Sequence, residues 1–229
     1  MIFGGLEKFS LIDHPGKMCA IVFTVGCNFR CPYCHNPEIV QVSKDTAIIE
    51  EKDILTFLET RKGKLDSVCI TGGEPTMHGD LLDFMQKLKD MGFLVKLDSN
   101  GTRPQVLQNA LQRGLVDYIA MDIKAPIEVY GKVTVFPVDI EKIKESIGII
   151  KNSGIDHEFR TTIVKSLLSK DELLEIGNIV AGANRYYLQK FVPTKTNDLA
   201  YMNSENYSDE ELEELRNEIG KKVVICGIR

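Results

Sequence analysis

The sequence has no apolar run long enough to span a bilayer, and its opening residues, Met1 to Gly5, lack the basic-then-apolar layout of a secretory signal. Both absences predict a chain that stays in the cytoplasm and off the membrane. Basic residues are not in excess: 28 Lys and Arg stand against 33 Asp and Glu, a net charge of −5. That balance leaves no electrostatic footprint for nucleic acid or an anionic membrane surface. Internal repeats, low-complexity tracts and linkers are missing too, so residues 1–229 are read as a single domain. With 43% hydrophobic residues, a chain of this length can bury one large core.

Cysteine is present but unevenly spread. Of six, only Cys27, Cys31 and Cys34 cluster. Cys19 and Cys69 fall inside apolar, strand-like runs, where a thiol packs as a small hydrophobe, and Cys226 is read the same way. In a reducing compartment, close spacing points to a metal rather than a disulfide framework. The C-x-x-x-C-x-x-C spacing offers three thiolates from one loop, and thiolates are the ligands of iron–sulfur clusters. A cubane has four irons, so three cysteines leave one iron open to a ligand from outside the chain. The competing reading is structural zinc, which wants four closed ligands. His35 is a candidate fourth, but its adjacency to Cys34 makes chelation of the same small ion awkward.

Strand-like runs at 19–24, 68–71, 93–97, 118–122, 157–164 and 186–191 alternate with helical spacing at 50–61, 81–91, from Pro104, at 140–151 and at 171–181. This alternation predicts parallel strands joined by right-handed crossovers. The fold class expected is α/β, a partial six-stranded barrel over about 17–193. A short extension follows over about 194–229: a polar stretch, a helix capped by Ser208 and Glu211, and a last strand at 222–226. Ligands bind such barrels at the carboxyl ends of the strands. The polar motifs fall there: Gly26 to Cys34, Gly72-Gly73-Glu74-Pro75, Asp98-Ser99-Asn100-Gly101, Asp122-Ile123-Lys124, Arg160 and Phe191-Val192-Pro193.

The triad, with Tyr33 before its last cysteine, and Gly72-Gly73-Glu74-Pro75 after a buried strand resemble the radical S-adenosylmethionine (SAM) superfamily. Gly4-Gly5-Leu6-Glu7-Lys8, Ser10 to Gly16 and Cys34-His35-Asn36-Pro37 resemble more particularly the activating enzymes of glycyl-radical enzymes. Among these, the anaerobic ribonucleoside-triphosphate reductase activating proteins are nearer and the pyruvate formate-lyase activating enzyme more distant. The resemblance runs from about Gly4 to Pro193.

It implies a 4Fe–4S cluster on Cys27, Cys31 and Cys34, with SAM on the open iron. One-electron reduction then yields methionine and a 5′-deoxyadenosyl radical, the cofactor supplying the chemistry and the protein its placement. Tyr33, Cys34 and His35 match positions that contact the adenosyl part, and Gly72, Gly73 and Glu74 the segment at SAM's amino end, where paired glycines allow close backbone approach. Asp98 and Asp122 are expected to share a monovalent cation with SAM's carboxylate, the alternative being that they cap the following turns. Ser99 and Ile123 beside them are counted as cofactor-binding. Lys124 and Arg160 are read as barrel-facing cations for SAM's carboxylate or a substrate, or else as solvated surface groups. The histidine that the formate-lyase activator carries after its sixth strand has no match in Phe191 to Lys195.

The implied partner is a glycyl-radical enzyme, with anaerobic ribonucleoside-triphosphate reductase favoured and pyruvate formate-lyase as an alternative. No second cysteine cluster exists, so the electron is expected from reduced flavodoxin or ferredoxin. The long connection 125–137, together with Asp13, is expected to grip the partner's glycine loop. Two other readings are kept: a small-molecule enzyme such as a 7-carboxy-7-deazaguanine synthase, and a non-catalytic electron carrier.

Overall fold

The structure, a computed structural model, describes residues 1–44 and 46–229. They fall into two compact units: Met1–Asn28, Glu38–Ser99 and Arg103–Ile119 in the first, and Phe29–Pro37, Asn100–Thr102 and Ala120–Arg229 in the second.

In the first unit β1 (Ile2–Ser10) forms an antiparallel hairpin with β2 (Cys19–Thr24). The short β3 (Ile49–Glu50) pairs with the other edge of β1. On its far side β2 runs parallel to β4 (Ser67–Gly72), which runs parallel to β5 (Leu94–Ser99). The helices are α1 (Pro37–Val40), which straddles the boundary, α2 (Glu51–Glu59), α3 (Leu81–Asp90) and α4 (Pro104–Gln112). In α3, Leu81, Phe84, Met85 and Leu88 recur at one-turn spacing and are all buried. The near-continuous burial of β2 and β4 is that of strands covered on both faces.

The strand β6 (Tyr118–Asp122) passes from one unit to the other. In the second unit β7 (Asp156–Ile163), β8 (Arg185–Lys190) and β9 (Ile225–Ile228) lie parallel in that order. They are accompanied by α5 (Tyr130–Thr134), α6 (Ile140–Lys151), α7 (Lys170–Ile179) and α8 (Asp209–Gly220). The six strands expected from sequence are all present, as β2, β4, β5, β6, β7 and β8, each followed by helix. The capping box at Ser208 and Glu211 is present too, and Ser169 with Glu172 forms a second one.

Three expectations are corrected. The hairpin strand β1 and its partner β3 were not expected, because Gly4, Gly5 and scattered charges break the alternation that marks a strand. Those glycines answer to packing: a Cβ on Gly4 would lie 2.3 Å from Cγ2 of Ile39. The last strand begins at Ile225 rather than 222, since the Lys222 carbonyl accepts from Gly182 N–H (2.8 Å) in the turn leaving α8. The connection 125–137 is not a bare loop; it holds a 3-10 turn (Ile127–Val129) and α5.

The turn between β1 and β2 is built by Ser10, whose hydroxyl donates to Asp13 Oδ2 (2.5 Å) and accepts from Ile12 N–H (3.2 Å). It closes on a bond from Lys17 N–H to the His14 carbonyl (3.0 Å) and buries the His14 ring, 5.4 Å from that of Tyr118. This turn enters β2 at its amino end, whereas Cys27 follows its carboxyl end, about 20 Å along a six-residue strand. Asp13 therefore lies at the end of β2 away from Cys27.

Burial, helped by the charge of Lys96, lowers the His14 pKa from 6.5 to about 4. The unfolded chain takes up this proton first, so the contribution of neutral His14 is whole above pH 6.5 and is lost toward pH 4. About 2 kcal/mol should disappear between pH 7 and pH 5. Urea unfolding at both pH values should show that loss in the wild type and not in His14→Phe; equal losses would contradict it.

Candidate active site

The root of the cysteine loop is fixed by backbone. Gly26 N–H donates to the Ile39 carbonyl (2.6 Å) and Cys27 N–H to that of Val40 (3.2 Å). From the next strand end, Gly73 N–H donates to the Thr24 carbonyl and Glu74 N–H to that of Gly26, both at 2.8 Å. This approach leaves no room for side chains. Gly72 sits at φ +115°, where a Cβ would meet Thr24 N at 2.4 Å, and a Cβ on Gly73 would lie 1.9 Å from the Gly26 carbonyl oxygen. The glycine pair is thus required by the seat of the cysteine loop itself, whatever binds above it.

Glu74 is buried. Its Oε1 accepts from Thr76 N–H (3.1 Å), Thr76 Oγ1 (2.5 Å) and Ser99 Oγ (2.9 Å), which ties the end of β4 to the end of β5. Asp98 is ion-paired with Lys96, two residues back on the same face and itself buried. A lysine two positions before a strand-end carboxylate was a signal available in the sequence; its pairing was missed.

In the second unit the loop is held again: Arg30 N–H donates to the Thr134 carbonyl and Asp198 N–H to the Pro32 carbonyl, each at 2.9 Å. Cys34 N–H turns back to the Cys31 carbonyl (3.1 Å). Burial pushes the Cys31 thiol pKa up, with Lys124 opposing. Phe191, at the end of β8, receives the rings of Tyr33 (6.3 Å, edge-on) and His35 (5.3 Å), and His35 Nε2 lies 2.9 Å from the Val192 carbonyl. The strand end that lacks a histidine therefore supports Tyr33 and His35 with an apolar ring.

Asp122 is clamped: its Oδ1 accepts from Arg160 Nε (2.6 Å) and its Oδ2 from Lys124 Nζ (2.9 Å). Although burial opposes the charge, these two cations hold the carboxyl well below the usual carboxylate range. Lys124 and Arg160 are thus ion-paired rather than solvated. Ile123 contributes backbone, donating to the Arg160 carbonyl (2.9 Å) and accepting from Thr161 Oγ1 (2.8 Å).

These residues fit an iron–sulfur cluster with a polar organic ligand. The donors are three thiols on one twice-anchored loop, and thiolates suit iron. The Tyr33 hydroxyl is buried with no hydrogen-bond partner among the described residues, a donor left for something else. Gly73→Ala should cost roughly 2 kcal/mol or more of stability and sharply lower the iron bound on anaerobic reconstitution. Gly79→Ala, with open space around its Cβ, should change neither. Wild-type iron content and denaturation midpoint in Gly73→Ala would refute the seat described here.

Among the described residues no helix is long and apolar enough to cross a membrane. The profile of the radical SAM superfamily matches residues 21–176. The chain is 33% identical over 230 residues to the Methanocaldococcus jannaschii protein MJ1227, which bears the name of a glycyl-radical enzyme activating enzyme; the match covers 97% of this chain and 93% of that one. It is 24% identical over 196 residues to the pyruvate formate-lyase-activating enzyme of Clostridium pasteurianum, covering 83% and 81%. In fold it is similar to Streptococcus suis SuiB, solved bound to S-adenosylmethionine, with a TM-score of 0.68 at 13% identity. That likeness covers 91% of this chain and 49% of SuiB, so the chain spans about half the length of that protein, and it speaks for the α/β partial-barrel fold. The matched stretch takes in every cysteine of the triad, both glycines, both strand-end aspartates and their cations: this chain belongs to the radical SAM superfamily, whose members carry a 4Fe–4S cluster and use S-adenosylmethionine.

Proposed function

We propose that this protein activates a glycyl-radical enzyme, with anaerobic ribonucleoside-triphosphate reductase as its partner and reduced flavodoxin or ferredoxin as its electron donor. The observation that carries the reading is the near-full-length similarity to MJ1227, which takes in the segments flanking the triad on both sides.

Cys27, Cys31 and Cys34 would hold the cluster. When bound, the cluster and SAM supply a 5′-deoxyadenosyl radical able to take hydrogen from a glycine Cα. The chain's part is placement and shielding. Tyr33 and His35, backed by Phe191, give the adenosyl part an apolar wall. Asp122 with Lys124 and Arg160 carries one net positive charge, suited to SAM's carboxylate. Gly72, Gly73 and Glu74 act through backbone, since the Glu74 carboxylate is turned inward toward Thr76 and Ser99. The carboxylates expected to take a monovalent cation are already compensated, Asp98 by Lys96 and Asp122 by Lys124 and Arg160.

Anaerobic incubation of the reduced enzyme with SAM and the reductase should produce a glycyl doublet by EPR, and Cys31→Ala should form neither the doublet nor 5′-deoxyadenosine. A doublet with pyruvate formate-lyase alone would reassign the partner, and cleavage of SAM without a doublet on any glycyl-radical protein would overturn the reading.

We read part of 125–137 as a contact for that partner, on two observations. Arg30 N–H bonds the Thr134 carbonyl, joining the segment to the cysteine loop. Val135 follows in the left-handed region at φ 51°, unfavourable for a β-branched residue, and leaves Val135 and Phe136 exposed by 58% and 46%. Phe136→Ser should leave SAM cleavage without partner unchanged and slow glycyl-radical formation about tenfold. An unchanged rate of radical formation would remove this segment from the interface.

A further inference from the structure

Glu158 has no place in the chemistry described so far, yet it is a fully buried carboxylate. It lies two residues before Arg160 on β7 and so on the same face, opposite Phe159 and Thr161. A buried carboxylate needs a cation, and Glu158 has one in Arg229, which donates from Nη1 to Oε1 (2.8 Å) and from Nη2 to Oε2 (3.0 Å). Such two-pronged pairing fixes orientation as well as charge.

Arg229 is itself held from three sides. Its N–H donates to the Leu188 carbonyl (2.9 Å) and its carbonyl accepts from Lys190 N–H (2.7 Å). Its guanidinium carbon lies 3.5 Å from the centre of the Tyr187 ring. Gly227 makes that stacking possible: it is in register with Tyr187, and a Cβ there would come within 2.8 Å of Tyr187 Cε1.

The result is a row of alternating charge: Arg229, Glu158, Arg160, Asp122, Lys124. Arg160 stands between two carboxylates, with Nε 2.6 Å from Asp122 and Nη1 4.0 Å from Glu158. We propose that Arg229 is a positioning residue for Arg160: by occupying both oxygens of Glu158, Arg229 leaves the guanidinium of Arg160 aligned on Asp122. Without Arg229, Glu158 becomes an uncompensated buried charge beside Arg160 and draws it away from Asp122. The inference rests on reading Arg160, Asp122 and Lys124 as SAM contacts.

The test uses cluster-reconstituted protein, with S-adenosylhomocysteine as the binding probe in calorimetry and 5′-deoxyadenosine formation under dithionite for KM and kcat. Arg229→Gln should raise both the dissociation constant and the KM for SAM about tenfold, with kcat within about twofold. Arg229→Lys should recover part of the affinity. Glu158→Gln alone should bind like the wild type, and Arg229→Gln combined with Glu158→Gln should bind nearly as well, because no buried charge is left to compete for Arg160. Wild-type binding by folded Arg229→Gln overturns the proposal. Should that variant not fold, weak binding by a folded double variant overturns it instead. Arg160→Gln separates the two levels. If it leaves binding unchanged, the reading of Arg160 as a SAM contact fails. If it weakens binding while Arg229→Gln does not, the contact stands and only the positioning role falls.

Discussion

Two backbone hydrogen bonds, from Gly73 to Thr24 and from Glu74 to Gly26, set the terms for the site. They join the end of β4 to the end of β2 at the point where the cysteine loop departs. Parallel strands end side by side, but here the chain after β4 is drawn in until a Cβ would strike the neighbouring carbonyl. The glycine pair makes that approach possible, and Glu74, turned inward, extends the tie to Ser99 at the end of β5. Three strand ends are locked before any metal ligand is reached. A cluster ligand set built from one loop gains from this, because only the loop itself then has to be ordered around the iron.

Charge is managed differently in the two units. In the first, the buried pair Lys96–Asp98 is locally neutral. In the second, Asp122 receives two cations, and the row through Glu158 to Arg229 alternates strictly in sign. Buried ion pairs seldom add stability over apolar packing, because desolvation offsets most of the attraction. Their retention argues for a task in placement, and an anionic ligand close to an excess positive charge is such a task.

The frame was legible in the sequence because β-rich runs and one-turn apolar spacing are local signals. The six strands, the polar motifs at their ends and the Ser208 cap all follow from pattern alone. What was not legible depends on contacts between distant positions. The strand β1 is hidden because Gly4 and Gly5 answer to Ile39 and Phe23 rather than to strand propensity. Phe191 reads as an ordinary core residue until Tyr33 and His35 are found against it. Arg229 and Glu158 are separated by most of the second unit, and no spacing rule joins them. The glycines of the cysteine seat are marked by their residue type, but their approach to the Thr24 and Gly26 backbone joins distant positions that no spacing rule connects.

The turn from Ser10 to Gly16 marks the limit of reading a motif by its neighbours in sequence. It carries part of the resemblance to activating enzymes, and it closes the hairpin at the end of β2 away from Cys27. Its tie to the site runs through charge. His14 and the ammonium of Lys96 both lie against the Tyr118 ring, and Lys96 in turn holds Asp98. A charged imidazole there would repel Lys96, and burial, aided by that same ammonium, keeps His14 neutral. The turn thus protects the pairing of a strand-end carboxylate from below. A histidine enclosed at one end of the strands and an aspartate at the other are then parts of one electrostatic arrangement, which is reason enough for the turn to accompany Asp98.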